Sequence, residues 1–260
     1  MVKMNLISNL EHQKNTSKFT VVFIHGNSQD SNFWNNQLQD TLFENYHCVA
    51  LDLPGHGSSP KIANYQIPNL VPILVNTLNE IGPCVVIAHS LGGHLAIQAL
   101  PKITHCLGLM LIGTPPVKKP LNIEKVFASD ERMALLFKDS LSKEEAQQFI
   151  NFVGCSNNRN MAEQALQQTD TKFRVDIGVS VAQGELRDEV ELLNTIEFPV
   201  ALVVGQNDAT IKPNYLSGLV LPTLWKNRVH YISNTEHAPH LESPKQFNPI
   251  LADFLLELSS

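Results

Sequence analysis

The stretch that most restricts what this chain can fold into is Val85-Val86-Ile87-Ala88-His89-Ser90-Leu91-Gly92-Gly93-His94-Leu95-Ala96. Its first half is an apolar, β-branched run, the pattern of a strand buried on both faces. Its continuation, Leu95-Ala96-Ile97-Gln98-Ala99-Leu100, suits a helix. One serine separates the two, with small residues on both sides. A chain that turns this sharply from strand to helix holds the turn residue in a strained backbone conformation and leaves its side chain exposed. The neighbours must be small because the strand end and the helix start nearly touch.

The rest of the chain repeats the alternation. Residues 1–18 hold a short strand and a turn at Lys14-Asn15-Thr16. Thr20-Val21-Val22-Phe23-Ile24 is a buried strand that stops at His25-Gly26-Asn27-Ser28. Ser31 is the expected N-cap of a helix carrying Phe33, Trp34 and Leu38. Cys48-Val49-Ala50-Leu51 is the next strand and runs into Asp52-Leu53-Pro54-Gly55-His56-Gly57. Leu70, Ile73, Leu74, Leu78 and Ile81 are spaced for a helix over 68–81. Leu107-Gly108-Leu109-Met110-Leu111-Ile112 and Pro199-Val200-Ala201-Leu202-Val203-Val204 are further strands. Residues 212–220 are expected to be helical, Val229-His230-Tyr231-Ile232 to be the last strand, and 245–258 the closing helix. Strands alternating with helices imply crossover connections and a mostly parallel central sheet flanked by helices, an α/β fold.

That rhythm breaks over residues 117–198, where polar helical segments replace strands. Ser142, with Glu145 three positions on, has the pattern of a capping box. The expected division is a core of 1–116 and 199–260, with 117–198 a helical lid inserted before the penultimate core strand. The bland alternative is that these helices simply pack on the sheet.

Composition removes several classes. The formal net charge of −6 leaves no basic excess to hold a phosphate backbone, so nucleic acid is not an expected partner. No apolar run approaches the roughly 20 residues of a membrane span, and no signal-peptide pattern opens the chain. Cys48, Cys84, Cys106 and Cys155 form no C-x-x-C pair and read as reduced core residues of a cytoplasmic protein. Monomer and homodimer both remain open.

A serine hydroxyl is a poor nucleophile at neutral pH and needs a base within hydrogen-bond reach. The base in turn needs a carboxylate to hold its tautomer and stabilise its positive charge. Ser90, Asp208 and His237 each follow a strand at its C-terminal end, the edge at which open parallel sheets bind ligands. Each has a plainer reading: Ser90 as a helix cap, Asp208 as a turn former after Gly205. Glu197 and Glu236 compete with Asp208, Asn207 leaves a one-residue shift open, and His240 competes with His237. The oxyanion donors are expected to be the N–H groups of Leu91 and Asn27, with the small Gly26 letting the backbone approach substrate. His89 beside the serine is a candidate pocket residue; His94 is expected to pack or cap.

With these residues together, the chain resembles the α/β-hydrolase superfamily across nearly its whole length. The strings that carry this are His25-Gly26-Asn27, Asp52 through Gly57, Ser90-Leu91-Gly92-Gly93 and His237-Ala238-Pro239-His240-Leu241-Glu242-Ser243-Pro244. Ala88 stands where the G-x-S-x-G elbow of that fold has its first glycine, and the order serine, acid, histidine is the superfamily's. An acid on the preceding strand, used in some relatives, has no counterpart at Gly113-Thr114. The longer strings His25 through Ser28, Ser90 through His94, Gly108-Leu109-Met110 with Gly113 through Val117, and Leu224-Trp225 before His230 are similar to the N-acylhomoserine lactonases of this fold. That resemblance implies a metal-free serine mechanism with no cofactor and a small-molecule ester or lactone as substrate. Ser90, His237 and Asp208 would form the triad, Asn27 and Leu91 the oxyanion hole, and Gly26 and His89 would meet the substrate. His89 stands where a tryptophan or another large apolar wall is expected.

Some rivals fail on residues. An epoxide hydrolase or dehalogenase would need aspartate at position 90, and a metallo-lactonase an H-x-H-x-D-H cluster; neither is present. A general carboxylesterase, a hydrolase of C–C bonds in diketones, and a small-molecule receptor on the same scaffold all remain compatible with the chain.

Overall fold

The structure, a computed structural model, describes residues 8–12 and 17–259. The turn expected at Lys14-Asn15-Thr16 lies outside the described residues. Seven strands are described: β1 (Ser8–His12), β2 (Thr20–Ile24), β3 (His47–Leu51), β4 (Cys84–His89), β5 (Cys106–Ile112), β6 (Val200–Gly205) and β7 (Leu224–Ile232). They form one sheet in the order β1-β3-β2-β4-β5-β6-β7. β1 runs antiparallel to β3 and every other pairing is parallel. β2, β4 and β6 are buried along their whole length, as their unbroken apolar runs demand.

The helices in chain order are α1 (Asn35–Leu38), α2 (Ile67–Ile81), α3 (Leu91–Ala99), α4 (Ile123–Val126), α5 (Lys143–Phe152), α6 (Arg159–Gln168), α7 (Thr171–Ala182), α8 (Glu189–Asn194), α9 (Pro239–Glu242) and α10 (Pro244–Ser259). They cover both faces of the sheet. Val22, Ile24, Val86, Ala88 and Leu111 pack with Leu74, Leu78 and Leu95 of α2 and α3 on one side. Val21, Phe23, Val85, Ile87 and Met110 pack with Trp34 and with Phe247 and Phe254 of α10 on the other. Alternate residues of each strand therefore feed opposite cores. α4 to α8 lie between β5 and β6, the stretch where strands were not expected. Residues 142–145 form the capping box, with Glu145 N–H donating to Ser142 Oγ at 3.2 Å and Ser142 N–H to Glu145 Oε2 at 2.9 Å.

Three local expectations need correction. The cap near position 31 is Asp30, whose extended backbone lets its carboxylate accept from Asn32 N–H. Ser31 instead donates its N–H to Asp52 Oδ1 at 2.7 Å. Residues 212–220 do not form a helix, only a 3-10 turn at Leu216–Gly218. Asn214 takes φ 67°, a left-handed conformation that a right-handed helix cannot contain. β7 starts earlier than Val229, because Lys226 and Asn227 at positive φ form an irregularity that lets the strand reach back to Leu224. Cys48, Cys84 and Cys155 are buried and all four cysteines are free. Burial pushes the Cys48 and Cys155 thiols up to about 12. Among the described residues no helix is long and apolar enough to cross a membrane.

Candidate active site

Ser90 sits between β4 and α3 at φ 50° and ψ −121°, in a region that β-carbon-bearing residues rarely occupy. Its N–H donates to Ile112 O at 2.8 Å, tying the turn to β5. Gly92 is obligatory, since a Cβ there would stand 2.4 Å from His25 O. The Ser90 side chain makes no capping bond to the helix. Its Oγ is instead 2.9 Å from His237 Nε2, which removes the plain helix-cap reading.

His237 Nδ1 lies 2.9 Å from Asp208 Oδ2. A carboxylate only accepts, so Nδ1 carries the proton and Nε2 presents its lone pair to the serine hydroxyl. The other oxygen, Asp208 Oδ1, accepts from Thr210 N–H at 2.8 Å and from Thr210 Oγ1 at 2.6 Å. Burial opposes the charge on Asp208, but His237 and the Thr210 donors outweigh it and hold the carboxyl below the usual aspartate range. Asp208 and not Asn207 reaches the histidine; Asn207 is held by its backbone N–H to Thr235 O. The rival base, His240, is fully buried against Trp34 with ring centroids 4.3 Å apart, and neither ring nitrogen has a hydrogen-bond partner. Burial, with His237 adding to it, pushes His240 down to about 3. Glu236 contributes its backbone, not its carboxylate. Its N–H and that of Ala238 donate to Glu242 at 2.8 and 2.9 Å, and these bonds clamp the loop that carries His237.

The loop after β2 is shaped by two neutral imidazoles. His25 Nε2 accepts from Leu53 N–H and His56 Nε2 from Ser28 N–H, at 3.0 and 3.3 Å. Their Nδ1 atoms donate to Gly26 O and Pro54 O. Burial lowers the pKa of both rings, in keeping with that neutral pattern. This accounts for the Asp52-to-Gly57 string: it supplies partners that fix the loop bearing Asn27. The Asn27 side chain donates to Leu136 O at 2.8 Å and accepts from Ser28 Oγ at 3.0 Å. A Cβ at Gly26 would stand 2.9 Å from His89 Nδ1 and 3.2 Å from Ser90 Cβ, so the loop and the elbow can approach this closely only at glycine. Leu91, the first residue of α3, has no intrahelical acceptor for its N–H.

A cavity of about 910 Å³, including its open mouth, reaches Asn27, His89, Ser90, Leu91 and His237. The segment between β5 and β6, with Leu121, Phe127, Met133, Phe137, Ile177 and Val181 among its residues, supplies most of its apolar wall. His89 borders the cavity and its ring faces two acceptor oxygens, of which a neutral imidazole can serve one. Nε2 donates to His237 O at 3.0 Å and Nδ1 lies 2.9 Å from Gln29 Oε1. His89 therefore braces the backbone of His237 from behind, a duty not expected of it.

Several residues in this arrangement escaped the sequence. Gln29 touches His89 and also accepts from Gly26 N–H at 2.8 Å. Arg174 of α7, 2% exposed, donates to Ser28 Oγ at 3.0 Å, Lys138 O at 2.8 Å and Asp139 O. Glu189 is buried beneath His94. Thr210 alone left a signal, because an aspartate commonly bonds the backbone two residues on. Among the described residues no group of three or more histidine, cysteine or acidic side chains is arranged to hold a metal ion.

The chain is similar to the pimeloyl-[acyl-carrier protein] methyl ester esterase of Nitrosomonas europaea, 26% identical over 241 residues, spanning 87% of this chain and 92% of that protein. It is similar also to the 2-succinyl-6-hydroxy-2,4-cyclohexadiene-1-carboxylate synthase of Salmonella paratyphi C, 28% identical over 250 residues, 91% of this chain and 93% of the relative. Among solved structures, the N-acyl homoserine lactonase AidH complexed with N-butanoyl homoserine superposes with a TM-score of 0.87 at 25% identity, covering 95% of this chain and 92% of that one. The model of the Alpha/beta hydrolase family matches residues 21–250. The chain is a member of the Alpha/beta hydrolase family.

Proposed function

We propose that the protein is a serine hydrolase that opens the ring of N-acylhomoserine lactones. The observation that carries this reading is the Ser90–His237–Asp208 relay at one end of a largely apolar cavity. Likeness to the lactonase AidH over nearly the whole chain supports the choice of substrate. In this mechanism His237 Nε2 takes the Ser90 proton as Oγ attacks the ring carbonyl. The oxyanion forms between the N–H groups of Asn27 and Leu91. The ring C–O bond breaks, and the leaving alkoxide takes the proton from His237. A water then gives a proton to His237 and attacks the acyl-enzyme; the N-acylhomoserine departs and the proton returns to Ser90. Gly26 keeps the loop close enough for the Asn27 N–H to reach the oxyanion, and residues 117–198 act as a lid that shields the acyl chain from water.

The test is the rate of ring opening of N-hexanoyl homoserine lactone by wild type and by Ser90→Ala. A loss of at least about 10⁴-fold is expected; equal rates would overturn the mechanism. A second reading, hydrolysis of an open-chain ester, is favoured by the likeness to the methyl ester esterase. Turnover of methyl and nitrophenyl esters with no attack on lactones would select it.

A further inference from the structure

A second histidine–carboxylate pair opens on the same cavity, and the triad makes no use of it. His94 Nδ1 lies 2.9 and 3.1 Å from the two oxygens of Glu189, whose side chain is fully buried. Glu189 also accepts from Gln98 Nε2 at 3.0 Å and from Val117 N–H at 2.9 Å. The carboxylate accepts only, so it fixes Nδ1 as the protonated nitrogen and leaves Nε2 for something else. Nε2 has no protein partner among the described residues and is not sealed in the interior. His94 borders the cavity, with its side chain 12% exposed.

The position of His94 ties it to the chemistry. It stands one turn into α3, its N–H donating to Ser90 O at 3.3 Å, which sets it roughly 6 Å along the helix from the serine. Its neighbours on the wall, Ile123 and Phe127, are apolar. One fixed polar atom in an apolar cavity is what orients a ligand there. A buried carboxylate also costs desolvation, and a simple tie between α3 and α8 would be met as well by apolar packing.

We propose that His94 Nε2 is a polar anchor for substrate, and that the substrate carries a neutral hydrogen-bond donor, a hydroxyl group, one helical turn along the cavity from the carbonyl attacked by Ser90. A second carboxylate is disfavoured because it would lie beside Glu189. The proposal rests on the reading of Ser90 as nucleophile toward an ester or lactone, and it makes His94 a specificity-determining residue.

The test compares 4-nitrophenyl esters of hexanoic, 5-oxohexanoic and 6-hydroxyhexanoic acids, with uncatalysed rates subtracted. His94→Asn keeps a donor near the Nδ1 position for Glu189 and has nothing at the Nε2 position. It should lower kcat/KM for the 6-hydroxyhexanoate ester about fivefold, the size of one net hydrogen bond, and leave the hexanoate and 5-oxohexanoate esters within about twofold. The oxo ester, whose carbonyl only accepts, is the polar control: a loss on it equal to that on the hydroxy ester overturns the proposal. His94→Gln, whose amide reaches the Nε2 position, should restore the preference, which a purely structural tie would not. An equal effect of His94→Asn on all three esters, with an unchanged melting temperature, overturns the proposal. If wild type cleaves none of the esters or lactones, the nucleophile reading fails. Calorimetric titration of the same esters into Ser90→Ala, with and without His94→Asn, then decides the anchor separately: a fivefold loss of affinity confined to the hydroxy ester supports it, and no difference refutes it.

Discussion

Replacing Asp208 by asparagine tests the site most sharply, because the structure dictates which way the new amide must turn. Asp208 Oδ1 receives two donors, Thr210 N–H at 2.8 Å and Thr210 Oγ1 at 2.6 Å. An NH₂ group placed there would face a backbone N–H, so the amide oxygen takes that side. The NH₂ must then point at His237 Nδ1, 2.9 Å away in the parent. Nδ1 becomes an acceptor and the proton moves to Nε2, which now donates toward Ser90 Oγ instead of accepting from it. The base is lost with almost no change of shape. The expected cost in kcat is about 10⁴-fold, or roughly 5 kcal/mol. The assay is lactone or ester turnover at neutral pH, with a crystal structure or thermal melt to show that the fold is intact. A loss below about tenfold, against the ~10⁴-fold worked out for the tautomer, would refute Asp208 as the residue that sets it.

Other consequences are testable on the same footing. His240→Phe should blunt the acid sensitivity of the fold. The folded ring resists protonation down to about pH 3, whereas the unfolded ring binds a proton below roughly 6.5, so unfolding takes up a proton in that window and stability falls with pH. Comparing denaturation at pH 7.5 and pH 5, the variant should lose about 2 kcal/mol less than wild type; equal losses would refute this. Gly26→Ala should reduce turnover by about 100-fold or more, since its methyl group would press on His89 and Ser90, while costing about 1–3 kcal/mol in a denaturant titration. Arg174→Met should destabilise by about 2–4 kcal/mol by leaving the Lys138 and Asp139 carbonyls unpaired, and should lower kcat with it. An unchanged kcat in that variant would separate the segment between β5 and β6 from the loop bearing Asn27.

Much of the fold was readable because burial on two faces writes itself into a strand as an unbroken apolar run. β2 and the elbow strand β4 are such runs, and their positions matched closely. The three candidate triad residues were readable for a related reason: each lies just past a strand end, where a parallel sheet gathers its loops. What stayed hidden depended on partners far apart in the chain. Gln29 and His89 are separated by 60 residues, Ser28 and Arg174 by 146, and His94 and Glu189 by 95. No local pattern marks an arginine on α7 as buried, because α7 has no clear amphipathic stripe and buries Phe173, Arg174, Asp176 and Ile177 in near succession. The failed helix over 212–220 is the opposite case, in which Asn214, a residue type that takes the left-handed region readily, carried a local warning.

Arg174 also constrains how the protein can change over evolutionary time. One guanidinium joins Ser28, in the loop after β2, to the carbonyls of Lys138 and Asp139. The segment between β5 and β6 is therefore not a freely exchangeable module. A graft that brought in another substrate pocket without a matching guanidinium would leave Ser28 Oγ short of a donor and loosen the hold on Asn27. New substrate preferences in this scaffold should accumulate by point substitution along the cavity wall more readily than by recombination of whole insertions.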